Sequence, residues 1–449
     1  MVRTDIEHKP DAPAAPSTPT ASERRPLGSS APARAPLSES RLLLLLGAVQ
    51  FVNVVDFVMV LPLGPDFARA LDIPAHQLGL VAGSYTAAAA VVGLLAASLL
   101  DRFDRRRALL VAMLGLVLGT LAGGFATGLS SMLFARVLAG VFGGPATSIA
   151  MSILSDAVPP ERRGRAMGKV MGAFSVASVV GVPAGLELAR LGGWQMPFFV
   201  IASLGLVVAL GAAAVMPPMR GHLLAASRAS SPVRSLREFA RDRTVLLSLA
   251  ATAVAMVGSF SIISNLSAFV QFNLGYPRDQ LGLLYMAGGC VSFFSMRLAG
   301  WSVDRWGAPS VVSVGTALVV AVIGFGFLGE RSLLPVLGIF VGFMLANSTR
   351  IVALNALTTR VPPPADRARF MSLQSAVQHL STSAGAGLSS WVLHERADQR
   401  LEGMPRLAVF AIVTSVALPI VVATLQSRVR ARDAAQNAAQ MPDMAPSAE

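Results

Sequence analysis

The feature that most constrains the fold is a series of apolar runs, each about 20 residues long, separated by short clusters of charged residues. The first run, 42–63, opens with LLLLLGAV. Eleven similar runs follow, at 77–100, 108–127, 131–155, 167–189, 197–217, 244–270, 280–303, 309–328, 333–357, 369–393 and 407–426. A helix of about 20 residues crosses a hydrocarbon core of ~30 Å, whereas membrane β-strands alternate in polarity over about ten residues. The sequence therefore predicts an all-α membrane protein with twelve transmembrane helices.

The basic residues are distributed unevenly between the two ends of these spans. Of the 37 Lys and Arg residues, 27 lie on the side that holds both chain termini, seven lie on the other side, and three, Arg136, Arg297 and Arg350, lie within spans. By the positive-inside rule, both termini are predicted to be cytoplasmic. Membrane topology accounts for the net charge of +12 without a nucleic-acid partner. We therefore predict a multi-pass protein of an inner or plasma membrane, surrounded by lipid.

The chain repeats itself once. LLDRFDRRR at 99–107 is matched by SVDRWGAP at 302–309, and VPPERRGRAMG at 158–168 is matched by VPPPADRARFMS at 361–372. The two matches have nearly the same offset, about 204 residues, which predicts two pseudo-symmetric six-helix bundles with a site between them near the membrane midplane. The predicted parts are a disordered, Pro/Ala/Ser-rich cytoplasmic tail (1–40), an N-terminal bundle (41–217), a basic cytoplasmic linker (218–243), a C-terminal bundle (244–427) and a cytoplasmic tail (428–449).

These loop motifs resemble those of the major facilitator superfamily, and in particular its twelve-span drug:proton antiporter branch. The family's loop pattern GxxxDRxGRR is present in the second half as Gly300, Asp304, Arg305 and Gly307. In the first half Ala97 and Asp104 replace the two glycines of the pattern. The remaining matched residues there are Asp101, Arg102, Arg105 and Arg106. The resemblance implies that these loops act as gates. The implied gating residues are Asp101, Arg102, Arg105, Gly300, Asp304 and Arg305.

Two further patterns of the same family lie inside spans. Arg136 and Gly140 match RxxxG in span four, and GVPAG, starting at Gly181, is similar to the GPxxG antiporter motif of span five with an extra valine. Proline and glycine permit a kink and close helix packing in a membrane span. We predict helix-packing roles for Gly140, Gly181, Pro183 and Gly185.

Asp56 lies inside the first apolar run, in FVNVVDFVMVLPLGPDF. A central Asp costs about 2.5–3.5 kcal/mol on insertion scales, and neighbouring leucines roughly offset this, so insertion does not explain why a carboxylate is retained. Arg136, about six residues into span four, lies at a similar depth from the same face. The sequence therefore predicts an ion pair between spans one and four. We predict that the pair couples protons to transport; the alternative is a static salt bridge between two helices.

Other polar residues interrupt the spans that should line a central cavity, namely spans one, four, seven and ten. The predicted cavity residues are Gln50 and Asn53 in span one, Asn347 and Arg350 in span ten, and, in addition, Gln378 in span eleven. Arg350 has two interpretations: it snorkels to the nearby membrane surface, or it binds an anionic group of the substrate. His379, near the middle of span eleven, is predicted as a proton relay, with a hydrogen bond to a neighbouring helix as the alternative.

Together these features predict a proton-coupled secondary transporter that exports small organic molecules by alternating access, as a monomer. The alternatives are a narrow-specificity sugar or metabolite permease and a non-transporting membrane sensor. The chain has one cysteine, Cys290, and five scattered histidines, so neither a metal site nor a cofactor is predicted. It has no GxxxxGK[ST] phosphate-binding loop, which points to the membrane gradient as the energy source, and no nucleophile–base pair that would indicate an enzyme.

Overall fold

The structure is a computed structural model that describes residues 38–99, 103–219, 241–329, 334–362 and 366–439. Nearly all of the predicted N-terminal tail, most of the linker, the end of the C-terminal tail, and the gating candidates Asp101 and Arg102 lie outside the described residues.

Each predicted span corresponds to one long helix. The helices are α1 (Glu39–Met59), α2 (Leu78–Leu99), α3 (Arg105–Gly124), α4 (Leu129–Ala157), α5 (in four segments, Pro160–Met171, Ala173–Val176, Ala177–Gly181 and Val182–Gly192), α6 (Met196–Val215), α7 (Arg243–Ala268, continued by Phe269–Asn273), α8 (Leu281–Trp306), α9 (Ala308–Phe327), α10 (Val336–Thr358), α11 (Arg367–Val392) and α12 (Met404–Ala439). A short helix, Gly64–Leu71, follows α1, and a two-stranded antiparallel ribbon of β1 (His394–Glu395) and β2 (Leu401–Glu402) joins α11 to α12.

In the described part of the chain, eleven of these helices are long and apolar enough to cross a membrane. The remaining helix, α11, has 26 residues, which is sufficient length, but it is rich in serine, threonine and glutamine. It packs along α2 and α7, so much of its polar surface contacts protein rather than lipid. The prediction of an all-α membrane protein with twelve helices is confirmed.

The helices form two groups of six. In the first group α4 packs against α2 and α3, and α3 packs against α6; in the second group α7 packs against α11 and α12, and α10 packs against α8 and α9. Between the groups, α2 lies along α11 and α5 lies against α8. We call the end of the helices where α1 begins the terminal face, and the other end the distal face.

Helix α5 is interrupted in its middle. Residues Ala177–Gly181 form a π-helical turn, and the α-helix resumes with Pro183 in its first turn. Because proline has no N–H and its ring clashes with a carbonyl in the preceding turn, the extra residue of the π turn accommodates it. A Cβ on Gly181 would lie 2.6 Å from a methyl group of Val55 in α1, whereas a Cβ on Gly185 would meet only ordinary contacts. Packing against α1 thus requires glycine at 181 but not at 185.

Helix α12 continues beyond the predicted end of its span. It extends to Ala439, so much of the segment predicted as a tail is helical. Near that end Asp433 pairs with Arg360 at 3.0 Å, and Arg432 donates to the carbonyl oxygen of Arg360. These contacts fasten the extension to the end of α10.

Candidate functional site

Asp56 and Arg136 form a buried ion pair between α1 and α4. Nη1 of Arg136 lies 3.0 Å from Oδ2 of Asp56, and the two side chains are 1% and 0% exposed. Thr120 of α3 donates its hydroxyl to the other carboxylate oxygen, at 2.7 Å. Nε and Nη2 of Arg136 have no hydrogen-bond partner among the described residues. The predicted ion pair is therefore present, with the carboxylate held from two helices and the guanidinium only partly satisfied.

A second polar cluster, centred on Asn53, lies beside this pair. The Tyr85 hydroxyl of α2 donates to Asn53 Oδ1 at 2.5 Å, and Asn53 Nδ2 donates to the Gly143 carbonyl oxygen at 2.8 Å and to Thr147 Oγ1 at 2.5 Å. The guanidinium carbon of Arg136 lies 4.7 Å from the centroid of the Tyr85 ring, in cation–π geometry. Tyr85 thus connects the ion pair to the Asn53 cluster.

Two glycines of α4 permit this approach of α2. A Cβ on Gly140 would lie 2.2 Å from the carbonyl oxygen of Tyr85, and a Cβ on Gly143 would lie 2.1 Å from its hydroxyl oxygen. Both distances are far below van der Waals contact. The close-packing role predicted for Gly140 agrees with this geometry, and Gly143 has the additional role of leaving space for the Tyr85–Asn53 hydrogen bond.

An aromatic contact connects the cluster to the second group of helices. Phe57 of α1 lies 5.3 Å, centroid to centroid, from Tyr85 and 6.4 Å from Phe260 of α7. Phe260 stands 204 residues after Asp56, and Phe340 stands 204 residues after Arg136. At the offset of the internal repeat, the ion pair of the first half is therefore replaced by two aromatic residues.

The predicted cavity residues of the second half separate into two environments. Asn347 is buried and accepts a hydrogen bond of 2.6 Å from Ser259, which joins α10 to α7 much as Asn53 and Gly143 join α1 to α4. Arg350 lies on another side of α10, only 2% exposed, against Gly315 of α9 and with Nη1 3.2 Å from Ser415 Oγ of α12. The snorkelling interpretation is therefore wrong: the guanidinium is directed into helix packing, where the neighbouring glycine makes room for it.

The remaining candidates do not join the ion pair. Gln50 is buried with Oε1 unpartnered among the described residues, and Gln378 is exposed on α11. His379 is partly buried, and no hydrogen bond of its imidazole is found in the described part of the chain. Among the described residues, His379 therefore has neither a partner for a proton relay nor one for the alternative, a hydrogen bond to a neighbouring helix.

The gating candidates that the structure describes, Arg105, Gly300, Asp304 and Arg305, lie toward the terminal face. Arg105, at the start of α3, pairs with Asp156 at the end of α4, and Asp104, which replaces a motif glycine, caps α3 by accepting from the backbone N–H of Arg106. Asp304 and Arg305 are exposed at the end of α8, where Gly307 takes φ +81°, a conformation that favours glycine. A Cβ on Gly300 would meet open space, so packing does not require a glycine there.

At the distal face, by contrast, polar contacts join the two halves. Arg278, before α8, makes a bidentate pair with Asp66 of the short helix after α1, with N–O distances of 2.7 to 3.0 Å. Ser267 donates to the carbonyl oxygen of Pro62 at 3.1 Å, and the backbone N–H of Ala75 donates to the Glu395 carboxylate. We call the Asp66–Arg278 pair the distal latch. These contacts join residues that are far apart in the chain, so no pattern in the sequence predicts them.

A family model and two named bacterial proteins match most of the chain. The family model described as Major Facilitator Superfamily matches residues 46–386 and, in a second match, 249–441. A "Chloramphenicol resistance protein" of Streptomyces lividans is 26% identical over 346 residues, covering 77% of this chain and 86% of the relative. A "Chloramphenicol efflux pump" of Mycobacterium tuberculosis is 27% identical over 318 residues, covering 70% of this chain and 74% of the relative.

A solved structure has a similar fold. It is a bacterial homologue of the human lysosomal transporter Spinster, described as inward-facing and occupied, with a TM-score of 0.66. The similarity covers 90% of this chain and 98% of that chain, at 20% sequence identity.

Proposed function

Because the chain belongs to the Major Facilitator Superfamily, we propose that it is a proton-coupled exporter of small organic molecules that works by alternating access in the bacterial inner membrane. It is a transporter and not an enzyme. The relatives named as a chloramphenicol resistance protein and a chloramphenicol efflux pump support export as the direction. We place the terminal face in the cytoplasm, on the strength of the basic residues concentrated there.

The Asp56–Arg136 pair is the observation on which proton coupling rests. A carboxylate that is 0% exposed inside a membrane span is costly, and ionisable residues in such positions serve ion or proton pathways more often than packing. When Asp56 takes up a proton, the pair loses its attraction and Arg136 becomes an unpaired buried cation. Arg136 must then find other acceptors, and two of its nitrogens already have none among the described residues.

The contacts of Arg136 suggest how this change reaches the boundary between the halves. Its guanidinium lies on Tyr85, and the backbone of Tyr85 is packed directly on Gly140 of the same helix as Arg136. A shift of Arg136 therefore moves α4 relative to α2. Helix α2 lies along α11 of the other half, so a movement that starts at the pair is carried to the boundary across which the halves would rock.

The arrangement of polar contacts at the two faces supports an inward-facing state. The distal latch holds the halves together at one end. Toward the distal end of the α2–α11 contact, a Cβ on Gly79 would lie 2.3 Å from the Ala386 carbonyl oxygen, whereas a Cβ on Gly93, nearer the terminal face, would meet nothing within 4 Å. The two helices are thus in close contact near the distal face, whereas Gly93 lies outside that close contact.

The proposed substrate is a neutral or weakly polar molecule of the size of chloramphenicol. Three of the charged side chains inside the described spans, Asp56, Arg136 and Arg350, are buried at 2% exposure or less. Arg297 of α8 is exposed, and its guanidinium carbon lies 3.7 Å from the centroid of the Phe293 ring on the same helix. The polar groups on the helices that would line the cavity are otherwise amides and hydroxyls, such as Asn53, Thr147, Ser259 and Asn347. Such groups hydrogen-bond an uncharged solute without requiring a counter-charge.

The test is chloramphenicol accumulation in an efflux-deficient bacterial host that expresses the chain, with and without a protonophore. We expect lower accumulation than in cells with an empty vector, and we expect the protonophore to abolish the difference. A non-transporting sensor would bind chloramphenicol without changing its accumulation. Accumulation equal to the empty vector, with the protein correctly inserted, for chloramphenicol and a panel of other neutral drugs would refute the proposed drug export.

A further inference from the structure

A basic cleft lies at the terminal face, between the start of α1 and the first segment of α5. It encloses about 170 Å³ and is lined by Glu39, Leu43, Arg162, Arg165, Ala166 and Lys169. The three basic residues are spaced three and four apart in the segment Pro160–Met171, so they share one face of that helix. The volume is several times that of one water molecule, about 30 Å³ in the liquid, so the cleft has room for a small group.

The cleft carries an excess of positive charge. Arg162 pairs with Glu39 at 3.1 Å, and both side chains remain partly exposed. Arg165 and Lys169 are exposed, and no ion pair of either is found among the side chains that the structure describes. Three cations and one anion therefore face the same space, which favours an anionic ligand.

The surroundings of the cleft are those of the membrane–water boundary. Leu43, part of the apolar start of α1, forms one wall, while Met167 and Met171 of the α5 segment are exposed on the opposite side of that helix from the basic residues. A helix with basic residues on one face and apolar residues on another lies at the level of the lipid headgroups. A lipid phosphate held by these basic residues would have Leu43 on its side toward the membrane interior. The glycerol backbone and acyl chains of the lipid would continue in that direction.

From this combination we propose that the cleft binds the phosphate group of an anionic lipid headgroup, of the phosphatidylglycerol type. The phosphate oxygens accept hydrogen bonds from Arg165 and Lys169, and they compete with Glu39 for Arg162. Basic pockets between membrane helices bind anionic headgroups in this manner. The bound lipid would link α1 to the first segment of α5, on the terminal side of the break in that helix.

Titration of phosphatidylglycerol into the purified full-length protein, followed by native mass spectrometry, tests the proposal. The probe variant is Arg165→Gln/Lys169→Gln, and the control is Arg107→Gln/Arg428→Gln, which removes the same number of exposed arginine or lysine charges at the terminal face but outside the cleft. Each basic residue near an anionic headgroup raises the binding affinity by about fivefold. Removing two of them is therefore expected to weaken binding by the probe variant about 30-fold, whereas the control variant should bind as the wild type does.

Two results would overturn the proposal. Equal weakening in the probe and control variants would mean that binding follows overall charge and not the cleft. Competition by millimolar inorganic phosphate, with phosphatidylglycerol no better a ligand than free phosphate, would assign the cleft to a soluble anion. Phosphatidylcholine serves as the lipid without net charge, and it is expected to bind both variants and the wild type equally.

Discussion

The substitution Asp56→Asn separates a proton-coupling role of the ion pair from a purely structural one. Asparagine keeps the size of the side chain and an oxygen that can accept from Thr120, but it carries no charge, so it imitates a carboxylate that stays protonated. Arg136, 1% exposed, is then a buried cation without a counter-charge. Breaking a buried pair in this way costs about 3–5 kcal/mol, and the hydrogen bonds that asparagine retains place the expected cost near the lower end, about 3 kcal/mol.

The measurements are the thermal unfolding midpoint in detergent and chloramphenicol transport in proteoliposomes under an imposed pH gradient. At about 2 °C per kcal/mol for a large chain, Asp56→Asn is expected to lower the midpoint by roughly 6 °C and to abolish gradient-driven transport. The double variant Asp56→Asn/Arg136→Gln removes both charges, so most of the lost stability should return. Transport should not return, because no group is left to take up the proton.

This double variant decides between the two interpretations. If the pair were a static salt bridge, restoring stability would also restore gradient-driven transport, and that result would refute the reasoning. Full transport by the single variant Asp56→Asn would refute it as well. A double variant as unstable as the single one would instead show that the cost arises from altered packing around the substituted side chains and not from an unpaired charge.

Three further outcomes are expected from the geometry. Gly143→Ala places a carbon 2.1 Å from the hydroxyl oxygen of Tyr85, so it should destabilise the protein by about 1–3 kcal/mol and impair efflux. The control variant Gly47→Ala, whose added carbon meets nothing within 4 Å, should change neither stability nor efflux. Equal thermal midpoints for the two variants would contradict this expectation. Asp66→Arg and Arg278→Asp should each reduce transport by weakening the distal latch, and their combination should recover it; a combination no better than the single variants would show that the pair is not a latch. Arg350→Met should leave transport intact and maintain or raise the thermal midpoint, because two buried nitrogens of Arg350 have no hydrogen-bond partner among the described residues. Loss of transport in a variant that remains stable would instead favour a role of Arg350 in binding an anionic group of the substrate.

The fold could be predicted from the sequence because hydrophobic length is a local property. Each span needs only its own residues to be recognised, and most of the predicted boundaries fall within a few residues of the observed helix ends. The end of α12 could not be predicted in this way. Its extension to Ala439 is polar, and contacts with the end of α10 fasten it there.

The Asp56–Arg136 pair was predictable for a related reason. Both residues are charged, each interrupts an apolar run, and counting residues from the same face gives them similar depths. Tyr85 and Thr120 carry no such signal, since a single hydroxyl in a span is common and its direction depends on which helix lies beside it. The direction of Arg350 likewise depended on a glycine in α9, and the distal latch joins residues 212 positions apart. These features follow from how the helices are arranged, which no single span encodes.

The replacement of the ion pair by Phe260 and Phe340 in the second half has a consequence for energetics. Asp56 is the one fully buried carboxylate inside the described spans. If it couples transport to protons as proposed, a single carboxylate carries one proton per cycle. Exchange of one proton for a neutral molecule moves one net charge, so transport would be electrogenic and would respond to voltage as well as to pH. A potential of ~100 mV supplies about 2.3 kcal/mol per charge and a gradient of one pH unit about 1.4 kcal/mol. Together they could sustain a substrate concentration ratio of roughly 500, and a potassium diffusion potential alone would drive export in vesicles with no pH gradient.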